Sequence, residues 1–144
     1  MKEEVVSEVQ HIMEVLNERV NGYQKAIENV DDPEAISLFE EYKNQAEQFE
    51  NELKPFAEIN PEEAGTRMLG DIWHFWMDLK GAVTNKSTEA ILGACITGEK
   101  AAIRNYNDVL DDEDMPSDLS EILSRQLGEI EVACENLIQI KENL

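Results

Sequence analysis

The side chains able to do chemistry are few: Cys95 and Cys134, Glu99 and Glu131, and the two histidines, His11 and His74. Two thiols on facing helices would form a shared soft-metal site or a redox pair, or else act as two small groups filling core space. Carboxylates such as Glu99 and Glu131, gathered into one layer of a helical core, would hold a hard cation. His11 and His74 are not spaced to share a metal and read as structural or exposed. No Gly-rich phosphate loop, Cys-x-x-Cys, His-Glu-x-x-His or nucleophile elbow occurs, and the serines fall at helix caps and on exposed faces. Nucleophilic catalysis therefore has no support, and no residue is assigned as catalytic.

These residues must be positioned by helices. Apolar residues fall at Val5, Val9, Ile12, Leu16, Val20, Tyr23, Ile27 and Val30, then at Ile36, Phe39, Tyr42, Ala46, Phe49, Leu53 and Phe56. The pattern returns at Leu119, Leu123, Ile130, Ala133, Leu137 and Ile140. Spacings of three and four put each set on one helix face. Asp32-Pro33 and Asn60-Pro61-Glu62-Glu63 set a capping residue before a proline, and Ser87 and Ser117 are further caps. The chain is thus predicted to be all-α, with helices over about 3–30, 33–57, 62–84, 88–111 and 117–143. Short loops make consecutive helices antiparallel. If the middle helix crosses over outside the others, those four form an up-down-down-up bundle; if it packs inside, the fold is a plain five-helix bundle.

The register of these hairpins predicts a polar layer at mid-bundle. Asn17 falls opposite Gln45, Glu99 falls opposite Glu129 to Glu131, and Cys95 falls opposite Ala133, close to Cys134. Asn17 or Asn21, Gln45, Gln48, Glu99, Gln126 and Glu131 would form the layer, and buried amides of this kind fix helix register. The middle segment carries Trp73, Phe75 and Trp76. It either seals one side of the bundle or forms the contact of a homodimer.

Composition narrows the partners. The 144 residues carry a net charge of −20 with 42% hydrophobic content, which suits one folded domain over 1–144. The acidic residues are spread along helix faces as solvated surface. Such a charge repels phosphates, so neither nucleic acid nor an anionic membrane is an expected partner, whereas cations and basic proteins are compatible. No window nears the ~20 apolar residues of a membrane span. Met1-Lys2-Glu3-Glu4 leads into no apolar stretch, and two cysteines are too few for a disulfide framework, so the expected location is the cytoplasm.

Several stretches are more specific. Gly98-Glu99 followed by Tyr106 resembles the Gly-Glu…Tyr stretch of rubrerythrin-type helices. Asn21-Gly22-Tyr23-x-x-Ala26, Leu38-Phe39, Gln48-Phe49…Leu53, Trp76-Met77-Asp78-Leu79-Lys80 and Arg125-Gln126-Leu127 complete a pattern. It resembles a bacterial family of ferritin-like four-helix-bundle proteins of unknown function, over nearly the whole chain. The resemblance implies a ferritin-like up-down-down-up four-helix bundle with an additional crossover helix, and it implies no activity. The ferritin-like ligand pattern uses a Glu from each of two helices and Glu-x-x-His from the other two. Carried over, it puts Glu99 in the Glu slot of the third bundle helix and Glu131 with Cys134 in the slot of the fourth. Asn17-Glu18 occupies the first slot, and Gln45-Ala46-Glu47-Gln48 leaves the second without ligands. Glu99, Glu131, Cys134 and Glu18 are then the candidate ligands for one iron or zinc ion, not a standard di-iron centre.

Two functions compete on these grounds. The first is a non-enzymatic bundle without a cofactor, acting through protein contacts or self-association, with Trp73, Phe75 and Trp76 as the interface. The second is a metal-binding or oxidoreductase bundle with iron or zinc at Glu99, Glu131, Cys134 and Glu18.

Overall fold

Heptad-like spacing organises every helix of the computed structural model, which describes residues 2–57 and 87–144. Four helices occur among these residues: α1 (Glu3–Glu28), α2 (Pro33–Ala57), α3 (Thr88–Leu110) and α4 (Ser117–Glu142). The helix expected over 62–84, with Trp73, Phe75 and Trp76, lies outside the described residues, as does the cap at Asn60.

The helix ends follow the local chemistry. Asp32 Oδ1 accepts the N–H of Glu34 at 2.9 Å and of Ala35 at 3.4 Å, and so caps α2. Ser87 Oγ accepts the N–H of Ala90 at 3.3 Å and caps α3. Each cap satisfies backbone donors that lack an intrahelical partner. Ser117 differs from expectation: it is the first helical residue, and Pro116 stands at the cap position without a side-chain cap. Asp118 Oδ1 accepts the N–H of Leu119 there instead.

Inward positions alternate steps of four and three. They are Ile12, Leu16, Tyr23 and Ala26 on α1; Ala35, Phe39, Tyr42, Ala46, Phe49 and Leu53 on α2; Ile91, Cys95, Ala102, Tyr106 and Val109 on α3; and Leu119, Leu123, Ile130, Ala133 and Leu137 on α4. All are buried in one core. Burying each large aliphatic or aromatic side chain contributes roughly 1.5–3 kcal/mol, so most of the stability lies in these stripes. Val20 and Ile27, assigned inward from spacing alone, are only partly buried.

Contacts across the core give the directions. Gln10 Nε2 donates to the carbonyl of Ala57, and the Tyr23 ring lies 5.7 Å from that of Phe39, so α1 and α2 are antiparallel. His11 pairs with Asn105 and Arg19 with Glu99, so α1 and α3 are antiparallel. Gln126 meets Phe49 while Asn136 meets Tyr42, so α2 and α4 are antiparallel. Helix α1 therefore packs on α2 and α3, α4 closes the ring against both, and α2 runs parallel to α3. No helix among the described residues is long and apolar enough to cross a membrane.

Candidate functional site

The most unusual group in the core is cationic. Ile12, Leu16, Arg19, Tyr23 and Ala26 step by four and three along α1, which turns Arg19 straight into the bundle. Its side chain and that of Glu99 on α3 are both fully buried. Arg19 Nε donates to Glu99 Oε1 at 2.7 Å and Nη2 donates to Oε2 at 2.9 Å, a fork-on-fork pair. Nη2 also donates to Gln45 Oε1 on α2 at 2.8 Å. Three helices thus meet on one guanidinium. Nη1 has no hydrogen-bond partner, and the charge instead has aromatic faces near it, with the guanidinium carbon 5.5 Å from the Tyr23 ring and 5.9 Å from the Tyr42 ring.

Burial opposes any charge at this depth, and the direction of each shift follows. For Arg19, burial works against the cation, but the adjoining Glu99 carboxylate outweighs it and holds the proton more firmly than in free arginine. Burial, and then the Glu99 charge, pushes the Tyr23 phenol and the Cys95 thiol well up. Burial likewise raises Tyr106 and Cys134. The phenols, thiols and guanidinium of this layer therefore keep their protons at neutral pH, and neither thiol is prepared to act as a thiolate.

A second polar cluster lies along the α3–α4 and α2–α4 seams. Tyr106 donates its hydroxyl proton to Gln126 Oε1 at 2.7 Å. Gln126 Nε2 donates to Glu52 Oε1 at 3.1 Å and to the Phe49 carbonyl at 3.4 Å. Arg125 bridges Glu52 and Glu129 at the surface. Further along, Asn136 Nδ2 donates to the Tyr42 hydroxyl at 3.0 Å. Between these two attachments α2 and α4 leave an open groove of about 320 Å³. Glu41, Tyr42 and Gln45 of α2 line it, with Arg125, Gly128, Glu129, Val132, Ala133 and Asn136 of α4.

The residues expected to form a metal layer divide. Glu99 is in the centre of the core and Gln126 is buried, as the register predicts, while Gln45 is half-buried and reaches the layer through Arg19. Glu18 is buried on α1, where burial raises its carboxyl pKa and Lys25 opposes the shift. Cys134 is buried, and neither it nor Cys95 is in a disulfide. Glu131 is exposed, and Asn21 and Gln48 are exposed as well. The reason is angular: Ile130 and Ala133 take the inward positions of α4, and the residue after Ile130 lies ~100° around the helix. Among the described residues, no group of three or more His, Cys, Asp or Glu is arranged to hold a metal ion. Of the two histidines, His11 joins α1 to α3 through Asn105 Oδ1 at 2.6 Å, and His74 lies outside the described residues.

Arg19 is the central residue that the pattern of hydrophobic types passes over. The signal for it exists, because Arg19 sits four residues before Tyr23 and three after Leu16, where α1 requires an inward side chain.

Residues 4–112 match the family described as Domain of unknown function (DUF2383). No curated protein and no solved structure matches the chain.

Proposed function

The chain belongs to the DUF2383 family, and from that premise we propose a ferritin-like, up-down-down-up bundle that works through protein contacts, its central layer closed by a guanidinium. The helix directions support the topology: neighbours are antiparallel, and residues 58–86 join α2 to α3, which run the same way. The observation that carries the functional reading is the bidentate Arg19–Glu99 pair. In a ferritin-like layer the buried carboxylates are balanced by metal cations. Here the cation is part of the chain. Both oxygens of Glu99 are engaged by Arg19, and a metal ion brought to this carboxylate would meet a fixed positive charge within a few ångströms.

The test is elemental analysis by mass spectrometry on untagged protein, before and after anaerobic incubation with ferrous iron. The reading expects metal well below one ion per chain in both samples. Stoichiometric iron or zinc that Glu99→Gln abolishes would overturn it.

A further inference from the structure

We propose that a single proton fastens one end of the bundle, through Glu8 on α1 and Asp112 on the loop between α3 and α4, and that its loss frees the loop from α1.

Helices α1 and α3 are antiparallel, so the first turns of α1 lie beside the end of α3 and the start of α4. Val5 and Val9 of α1, Val109 of α3 and Leu119 of α4 are buried at that end. Residues 111–116 carry the chain from α3 to α4 there. Asp112 is the centre of this loop. Its N–H donates to the Val109 carbonyl at 3.2 Å, its own carbonyl accepts the Met115 N–H at 3.2 Å, and its Oδ1 accepts the Asp114 N–H at 2.9 Å. The loop thus fixes the position of the Asp112 carboxylate. Two ties run from the loop to α1. Lys2 Nζ lies 3.0 Å from Asp114 Oδ1, an exposed ion pair. The other tie is a hydrogen bond between the Glu8 and Asp112 side chains.

The second tie has a requirement that the first lacks. Two ionised carboxylates offer acceptors and no donor, so the bond exists only while one of them holds a proton. The surroundings decide which one. Asp112 is held low, first by this bond and then by the Asp114 N–H, whereas burial, and then the bond, pushes Glu8 up to about 7. The proton therefore sits on Glu8, and Asp112 accepts. Glu4 on the same helix and Asp112 and Asp114 on the loop all oppose charge on Glu8, while Lys2 favours charge on Asp112. When Glu8 ionises, the donor is lost, and Glu4, Glu8, Asp112 and Asp114 all carry negative charge beside the Lys2 ammonium. The fastened form holds the proton and the released form gives it up. Fastening is therefore favoured at low pH and is lost as the pH rises through about 7.

Amide hydrogen exchange of the full chain, read by NMR and normalised to an unstructured chain at each pH, tests the fastening. The reporters are the Asp114 and Met115 N–H groups, which bond to Asp112. From about one pH unit below the Glu8 midpoint to about one above it, their protection should fall about tenfold in the wild type. Glu8→Gln gives Asp112 a permanent donor and should reduce that step to less than about twofold. Glu113→Gln, which removes one exposed charge from the same loop, should keep the step. Flat protection in the wild type would overturn the proposal. So would a step that survives Glu8→Gln, which would place the titrating group elsewhere, and so would a step abolished by Glu113→Gln, which would make it an effect of diffuse charge. Metal content, which tests the reading of the central layer, does not enter this measurement, so either can fail alone.

Discussion

Replacing Glu99 with glutamine isolates what the buried ion pair contributes. Glutamine keeps the shape of the side chain but offers one acceptor where Arg19 presents two donors at 2.7 and 2.9 Å. The amide nitrogen would then face a guanidinium N–H, and a full positive charge would remain in a site with no solvent exposure. Breaking such a pair from one side costs about 3–5 kcal/mol, because the remaining charge is uncompensated. Against a total stability of about 5–15 kcal/mol, that is a large fraction. In urea unfolding followed by far-ultraviolet circular dichroism, the midpoint should fall by about 1–3 M with little change in slope. Arg19→Met combined with Glu99→Leu should recover most of the loss, since replacing both charges by apolar groups of similar volume is commonly neutral or stabilising. The pair is therefore expected to show a coupling well above that of independent sites. A loss under about 1 kcal/mol for Glu99→Gln, the value of an exposed pair, would refute the reasoning. So would simple additivity in the double variant.

Three further outcomes follow from the same geometry. Tyr106→Phe leaves the buried Gln126 Oε1 without its donor and should cost about 1–3 kcal/mol in the same assay. Burial, and then a hydrogen bond with Asp112, raises the Glu8 carboxyl to about 7, so the folded chain holds this proton longer than the unfolded one. Stability from this group is present at low pH and is lost as the pH rises to about 7; carbon-13 titration should place the Glu8 midpoint near that value, and Asp112→Asn should move it down. Cys95 and Cys134 should react slowly with a disulfide reagent in the native protein and rapidly in urea, because burial, followed by the Glu99 charge, holds both thiols protonated; fast labelling of the native state would contradict this.

The helix framework was readable from the sequence because its signals are local. Asp32-Pro33 and Ser87 mark helix starts in a few residues, and steps of three and four mark the buried faces. Register within each hairpin was also readable, because short loops leave little freedom, and Gln45 and Glu99, each near the middle of its helix, share a partner. What joins them was not. Arg19 carries a charge, and a charged residue on a long helix is ordinarily solvated, so residue type masked what position required. Glu131 shows the reverse error. Its neighbour Ile130 is inward, and a shift of one residue turns a side chain ~100° around the helix, here far enough to expose it. The groove had no signature at all, since it arises where two helices fail to close on each other, which depends on packing between residues far apart in sequence.

The position of the ion pair has a consequence for assembly. Helices α1 and α2 form one hairpin and α3 and α4 another, and each hairpin contributes one member of the fully buried central pair, Arg19 from the first and Glu99 from the second. Two copies of the first hairpin docked together would set guanidinium against guanidinium in an apolar core, and two copies of the second would set carboxylate against carboxylate. Only unlike halves neutralise. Apolar stripes bind one another with little discrimination, so a central ion pair split between the hairpins favours their union over like pairing at that layer. The linkage through residues 58–86 then keeps the correct partner at high effective concentration.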